Sequence, residues 1–272
     1  MKRETWRKRI EWRAQIMPQG EGWNRELEGE YKQAIRQYFD GKIDSALEKG
    51  NSLEVGNRLA ELLKSSEEDI VEIVTPRAVK KWASPETLPL WERFLENKQM
   101  VLELREIGKS IANSMRPLAG NNFAIWVTKV LNRAFQDEAL PLLAVTRGEI
   151  RQNLNRAFDK YSEQTQGLKP DIDIVVVKTP ILKPLAVISA KTTLAERVMQ
   201  TISWRTYMQT LDPQIRDIKL LLVTAWETFS TKSANRQRVQ QLDGVYVCNV
   251  EVLEWGRIKI FSKILNDLKA LL

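Results

Sequence analysis

Three short apolar segments in the second half of the chain place the strongest constraint on its fold. They are residues 171–177 (DIDIVVV), 185–191 (LAVISAK) and 218–225 (IKLLLVTA). Such runs are typical of strands that are covered on both faces. A further strand is predicted at residues 245–250, with helices at residues 195–210 and near 262–272. The order of these segments predicts an α/β fold with a mixed central sheet flanked by helices.

The first third of the chain has a different pattern. Residues 1–96 read as a mainly helical N-terminal region, because apolar side chains recur there at helical spacing among charged ones. We therefore expect two regions, residues 1–96 and residues 97–272. Within the second, the segment RPLAGNN (residues 116–122) predicts a break between helices at Pro117 and Gly120. Phe123–Phe135 then resumes as a helix, and LPLLAVTRG predicts a short strand.

Residue types that are missing exclude many kinds of chemistry. The chain has no histidine, which excludes Ser-His-Asp and Cys-His catalysis and the usual zinc sites. It has one cysteine, Cys248, so no disulfide framework is possible and a reducing, cytoplasmic compartment fits. No segment reads as a signal peptide, a membrane span or a glycine-rich phosphate loop.

The charge balance points to an anionic partner. The chain has 42 Lys and Arg residues against 35 Asp and Glu, which gives a formal net charge of +7. A basic balance of this size favours nucleic acid first and an acidic membrane surface second. Any enzymatic chemistry must then come from carboxylates, lysines and hydroxyls, with a hard metal ion as the expected helper.

The first two apolar segments predict an antiparallel hairpin that clusters polar side chains. If Val177 lies opposite Leu185, then Asp171 lies opposite Lys191 and Asp173 opposite Ser189. Side chains of one parity share a sheet face, so these four polar residues should lie together. The residues of the other parity should point into the core: Ile172, Ile174 and Ile188.

A cluster of this kind can hydrolyse a phosphodiester without histidine. Asp171 can bind Mg²⁺ with help from the carbonyl of Ala190, since Mg²⁺ prefers oxygen ligands and keeps most of its waters. The cation lowers the pKa of a water that attacks the phosphorus, and Lys191 offsets the developing charge. The alternative reading is an ordinary ion pair between Asp171 and Lys191 across a sheet edge.

The residues around this hairpin resemble the PD-(D/E)XK nuclease superfamily. Pro170-Asp171 matches the PD element, and Ser189-Ala190-Lys191 matches the second element in its (S/T)xK form. The stretch from Lys191 to Arg197 (KTTLAER) is similar to the K-x3-R-(D/E)-R signature of type II restriction endonucleases that recognise CCGG, CCNGG and CCWGG sites. Among the members, the chain most resembles a BsaWI-like enzyme of similar length. The resemblance covers roughly residues 108–250.

The resemblance implies a restriction endonuclease-like catalytic and DNA-binding domain in residues 97–272. It implies Mg²⁺-dependent hydrolysis of double-stranded DNA at a short palindromic site, and hence a homodimer or a tetramer. The catalytic residues would be Asp171, Lys191 and Ser189, and the metal ligands would be Asp171, Asp173 and Ala190. Arg197 would read guanine and Glu196 cytosine.

Other DNA contacts are predicted outside this motif. A glycine-containing turn would place Asn121 and Asn122 in the minor groove, as the resemblance implies. Backbone or flanking-base contacts are expected from four further residues: Thr192, Thr193, Arg236 and Arg238. The segment that carries the two arginines can equally be a polar connection between secondary structure elements.

Two alanines depart from the family pattern. Ala195 replaces the first arginine of the R-(D/E)-R triplet, and Ala124 replaces a glutamate. A second acid expected about 13 residues after the lysine is also absent, because Trp204 and Arg205 stand there. Two functions fit this pattern. The first is an endonuclease, intact or impaired, and the second is a sequence-specific DNA-binding protein on a nuclease fold. A helical structural protein with an incidental hairpin is the third possibility.

Overall fold

The computed structural model describes residues 25–66, 69, 98–146, 148–150, 152–154, 172–192, 197–209, 213–225, 229 and 234–272. The chain divides into two compact units. The first comprises residues 1–44 and 63–122, and the second comprises residues 45–62 and 123–272. The division at residue 96 stays a prediction. Among the described residues, no helix is long and apolar enough to cross a membrane.

Helix α1 (Arg25–Lys49) supplies residues 25–44 of the first unit. Its buried residues recur every four positions at Ile35, Phe39 and Ile43, which is the spacing of one helix face. On a neighbouring face the Tyr38 hydroxyl donates a hydrogen bond to Asp69, and Lys42 lies 3.8 Å from the same carboxylate. This small polar cluster connects α1 to Asp69.

Helix α3 (Lys98–Asp137) is continuous, and it comes after the short helix α2 (Ser52–Asn57) and the helical residues 59–66. The predicted break at residues 116–122 is therefore wrong, because Pro117 and Gly120 both lie inside α3. An interior proline costs a helix about 3 kcal/mol. Burial of the stripe that follows offsets this cost, since packing of an apolar face stabilises a helix more than intrinsic propensity does. That stripe comprises Phe123, Trp126, Val127, Val130, Leu131 and Phe135.

The second unit contains a six-stranded sheet whose strands follow one another in chain order. Five of the strands fall where the sequence predicts them, and β6 was not predicted. The strands are β1 (Leu142–Val145), β2 (Ile174–Lys178), β3 (Lys183–Lys191), β4 (Lys219–Thr224), β5 (Gly244–Val247) and β6 (Ile258–Ile260).

The direction of the strands places several chain ends at one edge of the sheet. Strands β1 to β3 pair antiparallel, whereas β3 to β6 pair parallel. The carboxyl ends of β3 and β4 therefore meet at the same edge, and β2 starts there. Lys191, Thr224 and Asp173 occupy those three positions. We call this edge the catalytic edge, after the prediction that Lys191 is a catalytic residue.

The register of the β2–β3 hairpin agrees with the prediction at the catalytic edge and differs at the turn. Ile174 pairs with Ile188 and Val176 with Ala186, as expected. A bulge between Val176 and Val177 then shifts the pairing, so Val177 lies opposite Pro184 rather than Leu185. The extra residue is Leu185 of β3, which is left out of the pairing, and the register changes only on the turn side of it.

Both faces of the sheet are buried, which explains the continuous apolar runs. One face carries Val175, Val187 and Leu222, and it packs against buried side chains of helix α4 (Arg197–Met208). The opposite face carries residues of the other parity, including Ile174, Ile188 and Val223, which are also buried. The predicted α/β fold, a mixed sheet flanked by helices, is confirmed.

Short helices complete the second unit. After α4 come α5 (Pro213–Arg216), α6 (Ala234–Arg238) and a 3₁₀ turn at Val239–Gln241. The chain ends in a 3₁₀ turn (Phe261–Lys263) and helix α7 (Ile264–Lys269). Gly56 of α2 is required for close packing, because a Cβ atom there would lie 2.2 Å from the Phe261 ring.

Candidate active site

Lys191 and Asp173 form an ion pair at the catalytic edge. The Lys191 Nζ atom lies 2.7 Å from Asp173 Oδ2, and the two side chains are 10% and 21% exposed. Lys191 ends β3, and Asp173 lies one residue before β2. By extension of the β2–β3 register, Asp173 lies opposite Ser189, so the lysine reaches diagonally across the hairpin. The predicted clustering of these two residues is found.

The backbone of Ala190 also contacts Asp173. Its N–H donates to Asp173 Oδ2 at 2.8 Å, and the Asp173 N–H donates to the Ile188 carbonyl at 3.1 Å. Even-numbered residues of β3 thus direct their peptide groups toward β2. Since the N–H and C=O of one strand residue point to the same neighbour, the Ala190 carbonyl also faces the β2 side. Its role as a metal ligand stays a prediction.

Ser189 lies on the same strand face as Lys191, two residues before it, and is enclosed. It is 1% exposed, and its Oγ atom has no hydrogen-bond partner among the residues that the structure describes. Its hydroxyl does not reach the surface in this arrangement, so its predicted catalytic part stays a prediction. Asp171, the other predicted acid, lies outside the described residues.

Sequence reasoning missed Thr224, which is the second enclosed hydroxyl at this edge. The parallel β3–β4 register pairs Thr224 with Lys191, and the Thr224 hydroxyl also has no hydrogen-bond partner in the described part of the chain. Leaving a buried hydroxyl unpaired costs about 1–3 kcal/mol. The only available signal in the sequence was one polar residue near the end of the apolar run at residues 218–225.

The predicted base-reading motif leads into helix α4. Glu196, Thr193 and Ala195 lie outside the described residues, and Arg197 is the first residue of α4. Thr192, the residue after Lys191, is partly buried. The helix predicted at residues 195–210 is confirmed over Arg197–Met208.

The positions where the family pattern predicts further acids are buried. Ala124 is 8% exposed on α3, and its carbonyl accepts a hydrogen bond from the Thr128 hydroxyl at 2.9 Å. Trp204 is buried on α4. Its neighbour Arg205 makes two contacts with Asp243, from Nε to Oδ2 at 2.8 Å and from Nη2 to Oδ1 at 3.0 Å. These positions serve packing and a buried ion pair.

Asn121 and Asn122 do not lie on a turn, because α3 runs through both. The expected glycine-containing turn at this point is wrong for the same reason as the predicted helix break. Asn122 is 7% exposed, and the side chain of Asn121 lies outside what the structure describes. Their contact with the minor groove stays a prediction, although the turn on which it was based is absent from α3.

Arg236 has partners inside the protein. Its Nη1 atom donates to the Phe229 carbonyl at 2.7 Å, and its guanidinium lies 5.2 Å from the centre of the Trp255 ring. Arg238, two residues later on α6, is exposed. The predicted contacts of both arginines with DNA stay predictions.

The oxygen donors at the catalytic edge fit a hard divalent cation. Asp173 offers a carboxylate and Ala190 a carbonyl, and Mg²⁺ is usually held by one or two carboxylates with waters and substrate phosphates. Across the described ranges, no group of three or more His, Cys, Asp or Glu side chains could hold a metal ion.

Comparison with known proteins supports the resemblance. Residues 155–267 match the family model for BsaWI restriction endonuclease type 2. The match includes the β2–β3 hairpin, α4 and strands β4 to β6. The predicted similarity to a BsaWI-like type II restriction endonuclease is confirmed over this part of the chain.

One similar solved structure is a pre-specific restriction endonuclease BsaWI–DNA complex. It is 13% identical, the alignment covers 98% of this chain and 89% of that chain, and the TM-score is 0.43. A comparison with curated proteins found no match.

Proposed function

We propose that the chain is a type II restriction endonuclease that hydrolyses double-stranded DNA at a short palindromic CCGG-type site with Mg²⁺ as cofactor. The observation that carries the proposal is the contact between Lys191 and Asp173 at the catalytic edge, inside the segment that matches the family model. An ammonium group can offset the charge that develops on a phosphate, and a carboxylate can hold a metal ion that activates water. The pair therefore suits phosphodiester hydrolysis without histidine.

Each residue at the edge has a separate task in this mechanism. Asp173, the Ala190 carbonyl and Asp171 would hold Mg²⁺, which when bound polarises the phosphate and lowers the pKa of the attacking water. Lys191 directs its ammonium toward the phosphate oxygens and offsets the charge that builds up on them. Its partner Asp173 fixes the direction of the lysine side chain.

Recognition of DNA depends on the segment between β3 and α4. Arg197 would bind guanine and Glu196 would accept from cytosine, while Ala195 provides no such contact. One missing bidentate contact weakens discrimination by about 1–3 kcal/mol in each subunit. A palindromic site is read by two-fold symmetric subunits, so the proposed enzyme acts as a homodimer or a higher assembly.

The test compares two lysines on the same strand. Lys191 ends β3, and the exposed Lys183 begins it, so Lys183→Gln is a matched control for Lys191→Gln. Plasmid DNA is incubated with each protein and Mg²⁺ or EDTA, and the ends of the products are sequenced. We expect Mg²⁺-dependent ends at one CCGG-type sequence from the wild type and from Lys183→Gln, and none from Lys191→Gln. Cleavage by Lys191→Gln at the wild-type rate would reject the proposal.

A second function is favoured by the burial of the other family positions. Ala124, Trp204 and Arg205 supply no acid, which leaves Asp173 as the carboxylate described at the catalytic edge. A protein with this site can bind a DNA sequence without cutting it. In that case the wild type would bind one sequence equally well in Mg²⁺ and EDTA and release no cleaved product with any divalent metal.

A further inference from the structure

Two enclosed hydroxyl groups lie on one face of the sheet beside the catalytic lysine. Ser189 and Thr224 are 1% and 0% exposed, and neither hydroxyl has a hydrogen-bond partner in the described part of the chain. Nearly all buried polar groups in folded proteins are paired with protein atoms or with ordered water. Two exceptions at one edge therefore require an explanation.

The strand register places both hydroxyls next to the ion pair. Lys191 pairs with Thr224 across the parallel β3–β4 ladder, and Ser189 precedes Lys191 by two residues on the same face. Ser189 also lies opposite Asp173 by extension of the β2–β3 register. The two hydroxyls and the ion pair thus form one polar patch, and its neighbours on this face are the apolar residues Val187 and Leu222.

We propose that Ser189 and Thr224 hold one internal water molecule beneath Lys191, and that Thr224 is a positioning residue for the Lys191–Asp173 pair. A hydroxyl can both donate and accept, so two hydroxyls offer a water the minimum number of polar partners that it needs. The bound water and the two hydroxyls form a polar surface next to Lys191. This surface limits the directions in which the lysine side chain can point.

The water is tested by the stability of three variants: the isosteric Thr224→Val, Ser189→Ala, and the double variant. Each single substitution removes one of the two partners of the water and therefore releases it, so each should lower the urea midpoint of unfolding. The double variant should then be little worse than either single variant. A high-resolution crystal structure of the wild type should show a water within hydrogen-bond distance of both hydroxyls.

The control is Thr128→Val on α3, whose hydroxyl is already paired with the Ala124 carbonyl. Combined with Ser189→Ala, it should give additive changes in the urea midpoint. The water site is rejected if Thr224→Val raises the midpoint. It is also rejected if the changes in urea midpoint caused by Thr224→Val and Ser189→Ala are additive, as they are expected to be for the control pair.

The positioning role depends on the proposed endonuclease function and has its own measurement. Thr224→Val should lower kcat for DNA cleavage about 10- to 100-fold while KM stays the same, as is usual for groups that orient a site through other residues. Thr224→Ser should restore most of kcat because it keeps the hydroxyl. An unchanged kcat in Thr224→Val rejects the positioning role. A wild type that cuts no DNA rejects both this role and the proposed function, while the stability arm still decides the water site.

Discussion

The ion pair between Lys191 and Asp173 permits a quantitative test of the site that needs no substrate. The perturbation is a double-mutant cycle with Asp173→Asn, Lys191→Met and the double variant. Asp173→Asn keeps the size of the side chain and removes its charge. Lys191→Met keeps the aliphatic stem and removes the ammonium. The cycle isolates the energy that the two side chains share.

The magnitude follows from the distance and the exposure. At 2.7 Å and an effective dielectric constant of about 20, the attraction is about 6 kcal/mol before any desolvation cost. Removing the two groups from water offsets much of this, because their side chains are only 10% and 21% exposed. We therefore expect a coupling energy of about 1–3 kcal/mol. Each single variant should also be less stable than the wild type, since it removes the attraction that compensates the burial of the remaining charge.

Urea unfolding followed by tryptophan fluorescence measures the free energy of unfolding of all four proteins. A matched control is the exposed pair Lys263–Glu254 in the same compact unit, which is also close, at 2.6 Å, but whose side chains are 51% and 38% exposed. Exposed pairs of this type couple by about 0.2–1 kcal/mol. If the Lys191–Asp173 coupling does not exceed that of the control pair, the two groups do not form a specific site.

Three other predictions concern a buried ion pair, the pH dependence of stability and the salt dependence of DNA binding. Arg205→Lys loses the two-point contact with Asp243 and should lower the free energy of unfolding by about 1–3 kcal/mol in a urea titration. The hydrogen bond from Lys263 lowers the pKa of Glu254, so this group contributes stability above its unfolded pKa and loses it as the pH falls through its lower folded pKa. Glu254→Gln should therefore have a lower Tm than the wild type at pH 7, and the gap should close in acid, whereas a constant gap would contradict the assignment. DNA affinity should fall linearly with salt on a log–log plot, and a flat line in a fluorescence anisotropy titration would exclude a phosphate-contacting protein.

The sequence predicted the sheet well where strands are buried on both faces. Residues 218–225 contain almost nothing but apolar side chains, and the structure places β4 in the middle of them. Strand β6 escaped prediction because three residues, Ile258–Ile260, are too few to show a period. The helix α3 was divided wrongly because Pro117 and Gly120 are local signals for a break, and the buried stripe after them is stabilised by non-local packing.

For the candidate site, the sequence could predict which side chains share a face of the sheet, but not which of them are in contact. The two-residue period of a strand is enough to place Asp173 and Lys191 on one face of the sheet. It could not show that a long lysine side chain reaches diagonally to Asp173. Thr224 was invisible because its place beside Lys191 depends on a parallel pairing between strands that are joined through α4.

The irregularity in the β2–β3 pairing lies away from the catalytic edge, and the register at that edge is unaffected by it. The mismatch between the two strands lies between Val176 and Val177, toward the turn, and the pairs from Val176 back to Ile174 keep the expected register. A shift of one residue at the other end would move Asp173 to the opposite face and separate it from Lys191. Pairing of the apolar residues Ile174 and Ile188 resists that shift, because both are fully buried on the face away from the ion pair. The hydrophobic core under the hairpin therefore sets the geometry of the charged groups above it, and the turn does not.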